Sequence, residues 1–282
     1  MERAAWRRRR SPPGGPGLSD ILASQAADPD LLAELYDLEH DEITEDLAFY
    51  REHVRRGGAA VIDLGCGSGR LFAPLVEGAA QRIVGVDGSS ALLARADARI
   101  AAAPELLAAR QRGAIELAVA DVRTVRRAER FDMAILAGVV AHLDGPEDAL
   151  RALDSARRLL DDDGTLIVDT IGPGGLPRAD LPLSVDWERQ MGDRRVVRRS
   201  RLVRREAPEG LRVEYSTLTD LVGADGTIAR LPAAFRLWYP SSHALIELAD
   251  KARLSVDATY GSHDLDPLDS GSERCILVLR PT

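Results

Sequence analysis

The sequence predicts an α/β fold in which a mostly parallel sheet, with helices on both faces, carries an inserted antiparallel sheet. Short apolar runs alternate with helical patterns between residues 59 and 170, which is typical of consecutive βαβ units. A glycine-rich turn, Gly65-Cys66-Gly67-Ser68-Gly69, lies between the first of these runs and the next helix. The pattern then changes to strand-like alternation between residues 183 and 237, where turn residues separate the segments.

The parallel strands are predicted from apolar runs at residues 59–64, 82–86, 115–120, 131–136 and 165–170. Helices are expected between them at residues 70–77, 89–101 and 146–160. Ser89 or Ser90 can cap the second of these helices, because a serine hydroxyl accepts a hydrogen bond from a free backbone N–H group. A helical lead-in at residues 20–57 comes first, and its apolar residues recur at helical spacing around residues 21–27, 31–38 and 43–54.

The inserted segment, at about residues 178–237, is predicted to form an antiparallel sheet. Strands are expected at residues 194–204, 211–221 and 227–237. Turn residues separate them at Pro208-Glu209-Gly210 and at Gly223-Ala224-Asp225-Gly226. A helix at residues 241–252 and strands at residues 255–260 and 274–279 complete the chain. We therefore treat residues 20–282 as one domain with an insertion.

The composition limits the classes of function. The 282-residue chain is 45% hydrophobic and has a formal net charge of −8. An acidic chain repels nucleic acid unless its basic residues form a patch, and no apolar run reaches the roughly 20 residues that span a bilayer. Cys66 and Cys275 are the only cysteines, without metal-ligand or redox-motif spacing. We expect a cytoplasmic protein without a metal, a nucleic acid or a membrane as partner, and a homodimer is compatible with the sequence.

The first 19 residues are predicted to be a disordered tail. Trp6 is followed by four arginines and then by a run rich in proline and glycine. No apolar segment follows the arginines, so this region does not resemble a secretion signal. Contact of the arginines with an anionic partner is the alternative interpretation.

The glycine-rich turn predicts a site for a nucleotide-like ligand. A strand, such a turn and a helix N-terminus form a generic nucleotide site. The dinucleotide fingerprint needs its third glycine at position 70, where this chain has Arg70, and the third glycine is instead Gly69. S-adenosylmethionine (SAM) has no phosphate but carries an ammonium group, for which Asp63 at the strand end is a suitable partner. A tight turn without a ligand is the alternative.

Two further aspartates follow at the ends of the next strands. Asp87 ends the second strand, where a carboxylate can accept hydrogen bonds from both ribose hydroxyls. A nicotinamide cofactor would also use this residue, and a helix cap is the structural alternative. Asp121 follows the third strand, where a side-chain acceptor beside the backbone N–H group of Val122 suits an adenine edge. A turn-initiating aspartate is the alternative there.

Four segments resemble motifs of class I, Rossmann-like SAM-dependent methyltransferases, and they occur along the chain in the same order as in that family. Val61-Ile62-Asp63-Leu64-Gly65-Cys66-Gly67-Ser68-Gly69-Arg70 is similar to motif I, and Val86-Asp87-Gly88-Ser89-Ser90 to the acidic-strand motif. Residues 131–136 and 159–168 resemble the segments around strands four and five. The resemblance covers roughly residue 36 to the C-terminus. It implies a seven-stranded sheet whose last strand is antiparallel, with the cofactor at the C-terminal ends of the strands.

The resemblance also implies further contacts to the cofactor and a pocket for the acceptor. We place Gly65, Cys66, Gly67, Gly69, Gly88, Val122 and Ala137 along the cofactor. Leu92 stands where an apolar residue usually packs on adenine. Residues 183–237 resemble the antiparallel lid that small-molecule N- and O-methyltransferases carry after strand five. Such a lid predicts a closed pocket for a compact acceptor, and S-adenosylhomocysteine (SAH) as the second product.

Tyr36 and His142 are the candidate catalytic residues. In similar methyltransferases a tyrosine in an N-terminal Tyr-Asp element closes over the cofactor near the sulfonium, and Tyr36 matches it by type and by distance from motif I. A packing tyrosine on an amphipathic helix is the alternative. His142 follows strand four, at the edge that faces the reacting centre, and histidine titrates near neutral pH. It is therefore the candidate general base, with support of the pocket as the alternative.

The remaining histidines and the end of strand five are assigned lesser roles. His40, His243 and His263 are expected to be exposed rather than catalytic. Asp169 and Thr170 end strand five, so we expect them near the acceptor. No cluster of histidine and acidic residues has metal-site spacing.

The acceptor itself is not identified by the sequence. Trp238 and Tyr239 either form an aromatic wall or pack in the core. The arginines between residues 194 and 205 favour a solvated strand face, with recognition of an anionic substrate or partner as the alternative. We predict transfer of a methyl group to a nitrogen or oxygen atom of a small molecule, such as a specialised metabolite. A nucleic-acid or protein methyltransferase, and a SAM-binding homologue that transfers no methyl group, are the alternatives.

Overall fold

Two helices precede the sheet in the computed structural model, which describes residues 28–282. They are α1 (Pro29–His40) and α2 (Leu47–Gly57). The predicted tail at residues 1–19 and the lead-in up to residue 27 lie outside the described residues. The helix α2 begins later than the sequence pattern from residue 43 predicts, because residues 41–46 form the turn between the two helices.

Strands and helices alternate over the next part of the chain, as predicted. The strands are β1 (Ala60–Leu64), β2 (Arg82–Asp87), β3 (Ile115–Val119), β4 (Phe131–Ala137) and β5 (Leu160–Ile171). The helices between them are α3 (Phe72–Glu77), α4 (Ser90–Ala102), α5 (Pro104–Gln111) and α6 (Pro146–Leu159). Ser89 caps α4, since its hydroxyl accepts a hydrogen bond from Leu92 N–H at 3.2 Å. The helix α5 was not predicted, because no glycine marks the end of α4 in this alanine-rich segment.

The inserted segment forms an antiparallel sheet of four strands rather than three. Its strands, in spatial order, are β6 (Leu181–Met191), β7 (Arg194–Ala207), β8 (Gly210–Val222) and β9 (Ile228–Pro240). The missed strand β6 is an edge strand in which Leu181, Leu183 and Val185 alternate with polar residues or proline but are exposed. Pro182 within this run argues against a strand in the sequence, although an edge strand tolerates it. The chain ends with α7 (Ser242–Lys251), β10 (Leu254–Tyr260) and β11 (Arg274–Pro281).

A seven-stranded sheet in the order β10-β11-β5-β4-β1-β2-β3 forms the centre of the domain. The strand β11 is antiparallel to both of its neighbours, and the other pairs are parallel. One apolar cluster packs α6 and α7 on one face, and a second packs α2 to α5 on the other. The helices thus cover both faces, and the loops at the C-terminal ends of the parallel strands are left to form a site.

The antiparallel sheet, called the lid from here on, packs over these loops at two places. Leu35 of α1 contributes to an apolar cluster with three buried lid residues, Met191, Val196 and Leu221. The short 3₁₀ turn Val140–His142, which follows β4, packs Ala141 against a second group of buried lid residues. Arg198 of the lid also forms an ion pair with Glu39 of α1. The helix α1 therefore lies between the lid and the rest of the domain.

Candidate active site

A cavity of about 1500 Å³ lies between the C-terminal ends of the parallel strands and the lid. Most of the predicted site residues line it: Tyr36, Gly65, Gly67, Asp87, Gly88, Leu92, Asp121, Val122, Ala137 and His142. The predicted residues Asp63, Cys66 and Gly69 lie behind the lining residues, and Asp63 is close enough to the lining residue Asp87 for their charges to interact. The fold thus brings most of the predicted residues together at one end of the sheet.

The glycine-rich turn has a backbone conformation that favours glycine. Gly65 and Gly67 have φ values of +85° and +56°, in the left-handed region that side chains disfavour. A Cβ atom on Gly65 would lie 2.3 Å from a methyl carbon of Val139, and one on Gly67 would lie 3.1 Å from Tyr36 Oη. Gly65 N–H also donates to Val86 O at 2.7 Å, which holds the turn against β2. Larger residues in the turn would therefore clash or strain the backbone.

Asp63, which precedes this turn, provides a test of whether the site suits SAM. Its side chain is 2% exposed, and among the described residues its Oδ2 atom has no hydrogen-bond partner. Burial, together with the nearby charge of Asp87, raises the pKa of the Asp63 carboxyl to about 7. A buried carboxylate without a partner is unfavourable, so a cationic group at the turn would compensate it. The ammonium group of SAM fits this requirement.

Asp87 joins the end of β2 to the glycine-rich turn. Its Oδ2 atom accepts a hydrogen bond from Gly67 N–H at 2.9 Å, and its Oδ1 atom accepts one from Ser89 N–H at 2.8 Å. Each carboxylate oxygen can accept a further hydrogen bond, and Asp87 lines the cavity. The predicted contact with both ribose hydroxyls is compatible with this arrangement.

Asp121 is fixed by an arginine that the sequence analysis did not include. Arg123 Nη2 lies 2.6 Å from Asp121 Oδ2, and Arg123 also pairs with buried Asp148. Hydrogen bonds from Arg123 lower the pKa of the Asp121 carboxyl. Leu92 and Val122 line the cavity with this group, so an adenine ring there would meet apolar side chains and a carboxylate already held by Arg123.

Tyr36 lies over Gly67, and the structure around it corrects the expectation for His40. The His40 ring stacks on the Tyr36 ring, with centroids 4.0 Å apart and planes 18° apart. His40 is half-buried rather than exposed, and burial lowers the pKa of its imidazole. Its Nδ1 atom lies 2.8 Å from Tyr36 O. The stack holds the Tyr36 side chain at the cavity, where burial raises the pKa of its phenol.

Arg70 is a further site residue whose role the sequence did not reveal. Its Nη1 and Nη2 atoms bind the two oxygens of buried Asp46, at 2.7 and 2.6 Å. Its Nη1 atom also donates to Ile43 O at 3.0 Å. These bonds fasten the turn between α1 and α2 to the glycine-rich turn. Arg70, identified in the sequence only as the residue that breaks the dinucleotide fingerprint, thus positions the helix that carries Tyr36.

His142 ends the short 3₁₀ turn after β4 and lines the cavity. Desolvation by the surrounding protein lowers the pKa of its imidazole, and the charge of Asp87 opposes this effect only in part. The lowered pKa favours the neutral ring, which is the form that a general base requires. Its role as the base stays a prediction.

His263 lies in the loop between β10 and β11, where it contradicts the expectation of an exposed side chain. Its Nε2 atom lies 2.8 Å from Oδ2 of Asp169, which is 1% exposed. Asp169 also accepts hydrogen bonds from Tyr50 Oη, at 2.7 Å, and from Arg274 Nε, at 2.9 Å. Burial raises the pKa of the Asp169 carboxyl, but hydrogen bonds from His263 and the charge of Arg274 outweigh burial and lower it. Asp169 thus joins α2, β5, β11 and the loop.

The lid gives the cavity an apolar wall. Leu202, Tyr215 and Phe235 are cross-strand neighbours on adjacent lid strands, and all three line the cavity. Tyr239 lines it as well, whereas Trp238 is buried in the main core, so the two aromatic residues take different roles. The acceptor half of the cavity, defined as the part beneath these lid residues and beside the end of β5, therefore has an aromatic side.

The arginines of β7 are mostly paired within the chain. Arg195 pairs with Glu188 at 3.2 Å and Arg199 with Asp220 at 2.6 Å. Arg198 and Arg204 likewise bind carboxylates of the chain. These pairs leave little support for the alternative that this strand recognises an anionic partner. His243 is exposed, as expected.

Within residues 28–282, no group of three or more histidine, cysteine or acidic residues could hold a metal ion. None of the helices described there is long and apolar enough to cross a membrane.

Known proteins resemble this chain in sequence over one segment and in structure over most of its length. Residues 62–166 match the family model described as a methyltransferase domain. Among curated proteins, none matches the chain. The CcbJ methyltransferase from Streptomyces caelestis is 18% identical, with 95% of this chain and 97% of that chain covered and a TM-score of 0.67.

Two other solved structures are similar. A SAM-dependent methyltransferase from Clostridium acetobutylicum is 14% identical, covering 89% of this chain and 98% of that chain, with a TM-score of 0.71. The sugar N-methyltransferase KedS8 from Streptoalloteichus sp. is 20% identical, covering 99% and 100%, with a TM-score of 0.66. These similarities confirm the predicted fold. Residues 62–166 therefore form a methyltransferase domain, and the chain has the Rossmann-like fold of solved SAM-dependent methyltransferases.

Proposed function

We propose that this protein transfers a methyl group from SAM to a nitrogen or oxygen atom of a small molecule. The observation that carries this proposal is the cavity, which has the glycine-rich turn at one end and the lid over the other. A volume of about 1500 Å³ accommodates a cofactor and a compact acceptor. The lid over one end of the cavity favours a small molecule over a macromolecular substrate.

The cofactor would be held at the C-terminal ends of β1 to β3. Asp63 would bind the ammonium group, Asp87 the ribose hydroxyls, and Asp121 with Val122 the adenine edge. Leu92 would pack on the adenine ring. When bound there, SAM supplies an electrophilic methyl group.

The residues around the acceptor would exclude water and remove a proton. Tyr36 lies over the glycine-rich turn and the lid packs on α1, so a bound cofactor and acceptor would displace water from the space between them. His142, whose lowered pKa favours the neutral ring, would accept the proton of a hydroxyl or ammonium acceptor. Similar solved structures support a small acceptor, since KedS8 is described as a sugar N-methyltransferase and CalS10, from Micromonospora echinaspora, as an amino pentose methyltransferase.

Substitution of Asp87 by alanine is expected to weaken binding of SAH by about 2–3 kcal/mol, because a charge-assisted pair of hydrogen bonds to the ribose is lost. Isothermal titration calorimetry measures this change. The matched control is Ser89→Ala, which removes the cap of α4 but no ribose contact, and should leave SAH affinity unchanged. Equal affinity of Asp87→Ala and the wild type would contradict the ribose assignment.

Substitution of His142 by alanine is expected to lower kcat more than it lowers cofactor affinity, because the imidazole acts on the acceptor proton. Steady-state kinetics with an accepted substrate, combined with calorimetry of SAH, separate the two effects. Equal losses in kcat and in SAH affinity would identify His142 as a residue that only shapes the pocket.

A search for the acceptor tests the proposed function itself. The protein and SAM are incubated with fractionated small-molecule extracts, and SAH formation is followed by mass spectrometry. We expect SAH together with a product heavier by one methylene unit. If SAH binds but no small-molecule fraction supports turnover, whereas transfer RNA or protein does, the macromolecular alternative is correct. Binding without turnover on any substrate would favour a homologue that transfers no methyl group.

A further inference from the structure

Every arginine that lines the cavity is already paired with a carboxylate of the chain. The pairs are Arg70 with Asp46, Arg123 with Asp121 and Asp148, and Arg274 with Asp169. The single lysine, Lys251, does not line the cavity. Desolvation lowers the pKa of His40 and of His142, which favours their neutral rings, and the third histidine of the lining, His263, contacts Asp169. A phosphate or carboxylate on the acceptor would therefore meet no unpaired arginine in the cavity.

Three carboxylates in the acceptor half are, by contrast, without a cationic partner. Glu45, Asp264 and Glu273 line the exposed rim of the cavity, and none forms an ion pair with the described residues, although the charges of His263 and Arg70 act on Glu45. Asp264 is adjacent in sequence to His263, and Glu273 to Arg274, both of which contact Asp169. A cleft with a surplus of one charge concentrates ligands of the opposite charge. This end of the cavity is thus suited to a cation.

The same half of the cavity offers an unused polar group and an apolar wall. Thr170 lines the cavity and is 1% exposed, and its Oγ1 atom has no partner among the described residues. Buried hydroxyls are usually paired, so a ligand atom would satisfy it. Tyr215 and Phe235 of the lid supply aromatic surface with ring centroids 6.2 Å apart. An acceptor that fits both has an apolar body and a polar, positively charged group.

From this charge distribution we infer that the methyl acceptor is an alkylamine that enters as its ammonium ion and carries no phosphate. This inference rests on the proposed function, since it names the class of substrate for the same site. Two features disfavour binding of a phosphorylated or nucleotide-linked acceptor. The carboxylates without ion pairs repel its negative charge, and no arginine of the cavity lining is free to pair with it. Glu45, Asp264 and Glu273 attract the ammonium, and the lid aromatics bind its apolar body.

The ammonium must lose a proton before it reacts, because it has no lone pair. An alkylamine is protonated at neutral pH, and His142, which lines the cavity, accepts the proton. The nitrogen lone pair then forms a bond to the methyl carbon as the carbon–sulfur bond breaks, and that electron pair stays on sulfur. The products are the N-methylammonium ion and neutral SAH, and His142 returns its proton to solvent.

A matched series of probes tests the inference by calorimetry of the SAH-saturated protein at pH 7.5. The probes are 2-phenylethylamine, 2-phenylethanol and phenylacetate, which share one apolar body and differ in charge. We expect the amine to bind about tenfold more tightly than the alcohol, and the acid to bind more weakly than both. An amine that binds no more tightly than the alcohol, or gives no heat at millimolar concentration, overturns the inference.

A double variant locates the effect. The side chains of Asp264 and Glu273 form no hydrogen bonds or ion pairs within the described residues, so Asp264→Asn with Glu273→Gln is not expected to disturb folding. This double variant should bind 2-phenylethylamine about fivefold more weakly than the wild type and should bind 2-phenylethanol with unchanged affinity. The control Glu105→Gln removes a carboxylate in α5, outside the cavity lining, and should change the affinity for neither probe. If the double variant and the control change the affinity for 2-phenylethylamine equally, the inference is overturned. Loss of SAH binding itself would instead contradict the proposed function.

Discussion

Substitution of Asp63 by asparagine is expected to stabilise the cofactor-free protein by about 2–4 kcal/mol above pH 7 and to abolish tight binding of SAM. The carboxyl is buried, its Oδ2 atom lacks a partner in the described chain, and its pKa is raised to about 7. Ionisation of Asp63 therefore opposes folding, and asparagine removes that charge. The same charge would be the partner of the cofactor ammonium, so binding is lost as stability is gained.

The pH dependence of this effect has a definite sign. The carboxyl of Asp63 titrates near 3.8 in an unfolded chain and near 7 in the folded protein. The wild type accordingly loses stability as the pH rises from about 4 to 7 and loses no more above that range. SAH affinity should change in the opposite direction, increasing up to about pH 7, because only the ionised carboxylate pairs with an ammonium group.

Urea unfolding at pH 5 and pH 8, with calorimetry of SAH at both values, measures these changes. The exposed substitution Asp162→Asn serves as the control and should alter neither quantity. If Asp63→Asn were less stable than the wild type at pH 8 and bound SAH normally, Asp63 would be a structural residue without a role in cofactor binding.

Substitution of Asp169 by asparagine is expected to lower the free energy of unfolding by about 3–5 kcal/mol, the usual range for removing one partner of a buried ion pair. Asp169 receives hydrogen bonds or an ion pair from Tyr50, Arg274 and His263. Without its charge, Arg274 would lie partly buried and unpaired. The loop that carries Asp264 and Glu273 would also lose its contact through His263.

Chemical unfolding at pH 7 and pH 3 measures this prediction. The pKa of Asp169 is lowered in the folded state, so its stabilisation is present above the pKa of an unfolded aspartate, near 3.8, and is lost as the pH falls through the folded value. The difference between variant and wild type should therefore shrink at pH 3. The control Tyr50→Phe removes one hydrogen bond and should cost about 1 kcal/mol. If Asp169→Asn and Tyr50→Phe lowered the free energy of unfolding equally, the Asp169 carboxylate would not be the main stabilising group of this cluster.

The fold was predictable wherever burial follows a regular pattern. The central parallel strands are buried on both faces and appear in the sequence as continuous apolar runs, such as residues 131–136. The edge strand β6 exposes most of its residues and has no continuous apolar run, and Pro182 interrupts the alternation that it does have. The family resemblance implied seven strands with the last one antiparallel, but the order of the strands, with β11 between β5 and β10, was not predicted.

The candidate site was predictable only where its residues lie close together in the chain. The glycine-rich turn and Asp87 form local motifs at strand ends, so their spacing indicated a cofactor site. His263 and Arg274 meet Asp169 across more than 90 positions of sequence, and that contact exists only after folding. His263 was therefore expected to be exposed. Arg70 was visible as an exception to a motif, but its partner Asp46 lies 24 positions earlier.

Calorimetric titration of SAM into the protein tests most directly whether the glycine-rich turn holds the cofactor. We predict binding of one SAM per chain with a dissociation constant in the micromolar range, lost in Asp63→Asn and weakened in Asp87→Ala. Absence of heat at millimolar SAM, or binding that neither substitution changes, would contradict the assignment of this turn as the cofactor site.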